Sequence, residues 1–240
     1  MCGRFAFYSP HEAVTRLFGV AGSPEVEPRW NIAPTQFIAA VRAGEQERRE
    51  LAMLYWGLVP SWAKEKSIGA RMINARAETL GEKPSFRNAC KRRRCLVIAD
   101  GYYEWQRSGT VKQPFFITFD NGQPFGMAGL WEAWTDPATG VLLESCCIVT
   151  TAPAPAVAHV HDRMPVIVAP ADYAEWLDPS NVNVARLDRL LVPTGLPGLA
   201  ARPVGRAVNN PRNEGARLLE SMPELTPGLE LDGPAGRRGD

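Results

Sequence analysis

The sequence predicts a single α+β domain with an antiparallel, barrel-like β core and peripheral helices. Three observations lead there. Short apolar runs bounded by Gly, Pro, Asn and Asp recur along the chain, the pattern of strands and turns. A few segments of helical period lie between them. The 240 residues carry 45% hydrophobic and 22% charged side chains without an internal repeat, so one domain with a substantial core accounts for the length.

Taken in order, residues 10–19 (PHEAVTRLFG) begin with Pro, carry Ala13, Val14, Leu17 and Phe18 at helical spacing, and end on Gly, which reads as a short amphipathic helix. Residues 36–42 (QFIAAVR) and 49–56 (RELAMLYW) read as strands around a polar turn at 43–48. Further strands are expected at 95–99, 114–119, 125–131, 142–151 and 164–168. The pair 114–119 and 125–131, separated by Asn121-Gly122, carries the best-marked hairpin signal. Helices are expected at 153–160, 170–176 and 211–221. The domain is expected to span 1–222, with 223–240, rich in Gly, Pro and charge, as a disordered tail.

A net charge of +1 excludes a wholesale polycationic binder of nucleic acid, though not a local basic face. Residues 71–94 hold eight basic and two acidic side chains, a net +6. With Trp62 and Phe86 close in sequence, this stretch fits phosphate contact plus base stacking; a solvated charge run has the same composition. Five cysteines form an odd set without C-x-x-C spacing, which fits reduced thiols in a cytoplasmic protein. No secretory signal or apolar run of membrane-spanning length is present in the sequence. His11, His159 and His161 lack partners at metal-ligand spacing, so no metal or other cofactor is expected.

Cys2 is unusual by position. Once Met1 is removed, it carries an amine of pKa ~7.7–8 and a thiol of pKa ~8.5, each nucleophilic in part near neutral pH. The thiol can attack an amide with the amine as base, or the amine can form a Schiff base with an aldehyde before the thiol closes a thiazolidine. An incidental thiol at a frayed terminus is the alternative, and position alone does not choose. Asn74, Arg76 and Glu78 alternate in ARMINARAETL, a polar face if extended or a solvated strand edge. Glu104 sits among aromatics in DGYYEW, where burial would raise its pKa and suit it to general-acid work; a strand-end carboxylate in water is the other reading. His159 and His161 in HVHDRMP supply a proton-transfer candidate or ordinary surface imidazoles.

Nine blocks in order resemble the SRAP (SOS-response-associated peptidase) family of abasic-site-processing proteins: MCGRF (1–5), WNIAPTQ (30–36), WGLVPSWAK (56–64), INARAET (73–79), RCLVIADGYYEW (94–105), KQPFFI (112–117), AGLWE (128–132), CIVTTAPA (147–154) and HDRMPVI (161–167). The resemblance covers about residues 1–215. It implies a monomeric sensor of abasic sites in single-stranded DNA that becomes covalently attached to them. Cys2 would be the nucleophile, Asn74 would position its amine, and Glu104 and His161 would handle protons. Arg4, Arg76 and Arg163 would contact the DNA backbone, with Trp62 and Pro34 against flanking bases. AP-lyase activity and release of Met1 by peptidase chemistry are also implied. The rivals are an N-terminal-nucleophile hydrolase of the glutamine amidotransferase type, which also begins Met-Cys-Gly, and a non-covalent single-strand binding module.

Overall fold

The computed structural model describes residues 2–20, 24–45, 48–193 and 196–223. In chain order the strands are β1 (Phe5–Phe7), β2 (Arg29–Ile32), β3 (Phe37–Ala43), β4 (Arg49–Trp56), β5 (Asn74–Arg76), β6 (Arg94–Ala99) and β7 (Gly101–Ser108). They continue with β8 (Val111–Phe119), β9 (Phe125–Thr135), β10 (Leu142–Thr151), β11 (Met164–Pro165), β12 (Ile167–Val168) and β13 (Leu199–Pro203). The α-helices are α1 (His11–Phe18), α2 (Pro84–Arg92), α3 (Tyr173–Leu177) and α4 (Val184–Leu187).

Five strands close on themselves. β10 pairs with β4, β4 with β3, β3 with β6, β6 with β9, and β9 with β10 again. Closure removes the unpaired edges an open sheet would leave, and turns the apolar side chains of each strand into a common interior. The expected α+β architecture with a barrel-like core is therefore present. Its ladders are antiparallel except for two parallel pairings of β10, with β4 and with β5. A second, antiparallel sheet runs in the order β13–β8–β7–β1–β2.

The two sheets are joined where β6 runs into β7. Asp100, at the corner, is buried and accepts hydrogen bonds from the Tyr8 and Ser9 amides and the Ser9 hydroxyl, so the corner is tied to the end of β1. Gly101 follows because a Cβ there would stand 2.2 Å from the Phe116 ring. The chain thus passes from barrel to second sheet in one residue, from Ala99 at the end of β6 to Gly101 at the start of β7.

Several sequence expectations are corrected. Residues 114–119 and 125–131 are strands but not a hairpin: β8 pairs with β7 and β13, whereas β9 belongs to the barrel. The Asn121-Gly122 turn carries the chain between sheets. Residues 153–160 form turns, because Pro153 and Pro155 cannot donate to a helical ladder and disfavour helix before them. Within 211–221 only a 3-10 turn at Ala216–Leu219 forms, after Gly215 at φ 107°. The expected tail, apart from Pro223, lies outside the described residues.

The basic run is also split by the fold. Arg94 opens β6 and is buried, its guanidinium donating to the carbonyls of Cys90 (2.6 Å), Lys91 (2.7 Å), Trp176 (2.5 Å) and Asp178. Arg93 pairs with Glu132 at 2.8 Å, and Phe86 is packed into the core from α2. A ring used for core packing is not available to stack on a base, and Arg94 is a structural tie between β6, α2 and α3.

Substituting Gly101→Ala should cost ~1–3 kcal/mol through overpacking against Phe116 and lower the thermal midpoint by several degrees. An unchanged melting curve would contradict the close-approach account of the corner.

Candidate active site

The site begins with the chain terminus. β1 lies antiparallel to β7 with Phe5 opposite Tyr102, and the Tyr103 amide donates to the Arg4 carbonyl at 2.8 Å. Residues 2–4 therefore run along β7 in the direction of Glu104. Cys2 is fully buried, and burial, reinforced by the Glu104 charge, pushes its thiol well above the ordinary cysteine value. The expectation that this thiol is partly ionised near neutral pH is thus corrected: in this environment it is a neutral S–H.

Asn74 reaches Cys2 from the other side. Its segment is delivered by a close backbone approach: a Cβ on Gly57 would lie 2.7 Å from the Gly69 carbonyl oxygen, and one on Gly69 2.5 Å from that of Gly57. The contact lets the Leu58 amide bond the Met72 carbonyl (3.1 Å), while the Trp56 indole and the Ile148 amide both donate to Ile73 (3.0 Å each). β5 is thereby laid parallel to β10, with Asn74 beside Ile148. The Asn74 amide nitrogen donates to the Cys2 carbonyl at 2.8 Å. Its buried Oδ1 has no hydrogen-bond partner among the described residues.

Glu104 projects from β7 into the interior and is buried; the solvated strand-end reading does not hold. Burial raises its carboxyl to about 7, against the opposing pull of the amino-terminal positive charge. Tyr103, one residue earlier, points to the opposite face and donates to the Trp30 carbonyl at 2.7 Å. His161 completes the group, its Nε2 lying 3.9 Å from Glu104 Oε2. The Arg163 amide donates to His161 Nδ1 at 3.0 Å, which leaves the proton of the neutral ring on Nε2, facing Glu104. The exposed Asp162 carboxylate also stands 2.9 Å from Nδ1. Because the amide already uses the Nδ1 lone pair, that second contact is a through-space attraction that would favour the imidazolium. Burial outweighs it, and the His161 pKa is lowered. His159 stands apart, its ring packed edge-on to Phe115 at 5.9 Å.

Glu104 and His161 open on a cleft of about 730 Å³, lined also by Arg76, Trp105, Arg107, Lys112, Asp162, Arg163 and Asn209; Cys2 and Asn74 are not part of its lining. Among the expected backbone-contacting arginines, Arg76 is exposed in the cleft. Arg163 lines it, but its guanidinium is engaged by Glu78 (2.6 and 3.0 Å) and the Thr150 carbonyl. Arg4 donates to Asn31 Oδ1 and the Val208 carbonyl, both at 2.8 Å. Trp62 is 60% exposed and Pro34 half-buried, and neither lines this cleft. Sequence reasoning missed Trp105, Arg107, Lys112 and Asn209. Arg107 and Lys112 face each other across the tight β7–β8 hairpin, and the Trp105 indole donates to Asn209 at 2.8 Å. The turn residues Ser108-Gly109-Thr110, bracketed by the cations Arg107 and Lys112, were the available signal. Among the described residues no group of His, Cys, Asp and Glu could hold a metal, and no helix is long and apolar enough to cross a membrane.

Comparison with known proteins gives a consistent picture. Residues 1–211 match the family model described as SOS response associated peptidase (SRAP). The abasic site processing protein YoqW of Bacillus subtilis is 40% identical over 225 residues, covering 92% of this chain and all of that protein. The abasic site processing protein YedK of Escherichia coli is 31% identical over 230 residues, again covering 92% of this chain and all of that one. A crystal structure of a protein from Bacteroides thetaiotaomicron superposes with a TM-score of 0.82 at 25% identity, covering 92% of this chain and all of the other.

The raised Glu104 pKa has a stability consequence of definite sign. Between the ordinary value of 4.5 and about 7, the native state keeps a proton that the unfolded chain has lost, so stability falls as pH rises through this window. Glu104→Gln should remove that dependence. Relative to wild type, the variant should gain on the order of 3 kcal/mol between pH 4.5 and pH 8 in denaturant titrations. Parallel pH profiles of the two proteins would show that Glu104 titrates normally.

Proposed function

The chain belongs to the SOS response associated peptidase family, and we propose that it senses and processes abasic sites in single-stranded DNA, capturing the sugar aldehyde through the amine and thiol of Cys2 after Met1 is released. The observation that carries this reading is the 2.8 Å bond from Asn74 to the Cys2 carbonyl, beside a buried carboxyl of pKa about 7. A terminus held by a side chain against a proton donor is a reagent, whereas a frayed one is not.

An abasic deoxyribose is mostly a closed hemiacetal, and opening it needs a proton on the ring oxygen and removal of one from the hydroxyl. A carboxyl titrating near neutrality can give one proton and take the other, and the His161 Nε2–H can hydrogen-bond the oxygen that receives charge. The Cys2 amine then adds to the aldehyde and expels water, leaving a protonated imine. The unpaired Asn74 Oδ1 suits an N–H of that amine as acceptor. Because the thiol is neutral and buried, it acts second, on an imine carbon already bonded to its own residue. Five-membered closure of this kind gains the full advantage of intramolecularity. The imine stage also acidifies the C2′ protons, so AP-lyase cleavage by β-elimination competes with closure. Release of Met1 is the peptidase step that exposes the amine.

Arg76, Arg107 and Lys112 give the cleft a cationic wall suited to phosphates on either side of the lesion. Arg163 joins them once a phosphate displaces Glu78, and Arg4 holds the wall formed by residues 208–213. Trp62, exposed beyond the cleft, and Pro34 serve as contacts for flanking bases. We read the protein as a monomer acting at the nucleoid in the cytoplasm, without a cofactor.

Incubation of the purified protein with single-stranded DNA carrying one abasic site should give an adduct that survives denaturation, absent with Cys2→Ala. An adduct that persists in Cys2→Ala sinks the proposal. Glutamine hydrolysis without an adduct would favour the amidotransferase rival, and reversible binding alone the binding module.

Glu104→Gln should slow adduct formation on the order of a hundredfold while leaving affinity for an intact single strand unchanged. Equal single-turnover rates would remove Glu104 from the ring-opening step.

A further inference from the structure

On β7, the strand along which residues 2–4 run, one buried polar group is not yet used by the capture chemistry. Tyr102 stands two residues before Glu104 on β7, so strand alternation puts both side chains on one face of the sheet. It lies opposite Phe5 of β1, and Cys2, Phe5 and Tyr102 all face the main core. Tyr103 faces the other way, in a separate cluster with Ala6 and Phe116. Tyr102 is fully buried, yet its hydroxyl has no hydrogen-bond partner among the described residues. A buried tyrosine hydroxyl normally finds a partner, because leaving one unmade costs stability. Burial raises its pKa, and any negative charge on Cys2 or Glu104 would raise it further. The phenol therefore stays a neutral donor within electrostatic reach of both the nucleophile and the acid.

We propose that the Tyr102 hydroxyl is a further catalytic group, donating a hydrogen bond to the Cys2 sulfur as the thiol closes on the imine carbon. The proposal rests on the reading of Cys2 as the aldehyde-capturing residue and assigns a donor to its second step. In that step the C–S bond forms as the S–H bond breaks. The π electrons of the protonated imine move onto nitrogen, and the thiol proton passes to the ionised fraction of Glu104. Tyr102 keeps its own proton throughout.

The need for such a donor follows from the site itself. Sulfur becomes negative in a desolvated pocket beside a carboxylate, which disfavours that charge twice. The protonated imine is the cation of this step, and it is neutralised as the ring closes. A neutral hydroxyl stabilises the sulfur charge without ionising Glu104. It also explains why an unpaired phenol is kept in the core: its partner is the sulfur in the reacting state.

The test is Tyr102→Phe in the full chain, reacted in single turnover with single-stranded DNA carrying an abasic site. Borohydride trapping measures the imine stage, and adduct surviving denaturation without reductant measures closure. Imine formation should be unchanged and closure slowed about tenfold or more, the effect of losing a hydrogen bond to a charged group. The closure rate should also need a higher pH to reach its plateau. Because the variant loses only an unpaired hydroxyl, its thermal midpoint should equal or exceed that of wild type. Closure at the wild-type rate with an unshifted pH profile overturns the proposal, as does an equal slowing of both stages with a lowered midpoint. Failure of the parent reading is distinct: wild type itself would then form no adduct.

Discussion

Everything at the site depends on the pairing of the first strand with β7. A chain terminus is ordinarily the least ordered part of a protein, and a nucleophile there would sample many positions. Here the Phe5–Tyr102 register and the Tyr103–Arg4 hydrogen bond carry the pairing of the second sheet as far as Arg4, and the Asn74 amide closes over the Cys2 carbonyl. The sheet sets the direction of residues 2–4, and the barrel, through β5 and β10, supplies the residue that holds them. Residues 2–4 are held by both layers at once, so the β6–β7 corner at Asp100 and Gly101 bears on the proposed chemistry as well as on folding.

Holding the terminus in the core has a cost that the site carries visibly. Glu104 is buried with a raised pKa, the Asn74 Oδ1 and Tyr102 hydroxyl are buried without partners, and the Cys2 thiol is desolvated. Each feature lowers stability, and on the proposed chemistry each has a partner in the reaction: the sugar oxygens for Glu104, the Cys2 amine N–H for Asn74 Oδ1, the Cys2 sulfur for the Tyr102 hydroxyl, and the imine carbon for the thiol. Among the buried polar atoms without partners in the described residues, those of Asn74 and Tyr102 lie on the elements that hold Cys2, as preorganisation for charge development would require on the proposed chemistry.

Much of this was legible in the sequence, for identifiable reasons. The singular property of position 2 is local and chemical, so it can be read from five residues. Strands β3, β4, β6 and β10 were readable because their apolar runs are bounded by polar turns. The burial of Glu104 was not, since GYYEW is aromatic on both faces and only pairing with β1 decides which face is inside. The Asn121-Gly122 turn was recognised, but a turn signal does not say which strands it joins, and here it marks a crossing between sheets. The four consecutive basic residues at 91–94 read as one charged surface. Arg94 leaves that surface because it is the first residue of β6 and meets free carbonyls at the ends of α2 and α3. Such capping is a tertiary event without a sequence signature.

The central claim is that one carbon of the sugar is bonded to both the nitrogen and the sulfur of residue 2. The most direct measurement is mass spectrometry of the protease-digested adduct. The account predicts that the amino-terminal peptide Cys2-Gly3-Arg4, without Met1, carries the sugar with loss of one water and resists thiol alkylation. A sugar found on a lysine, or on a peptide that retains Met1 or an alkylatable Cys2 thiol, would contradict it.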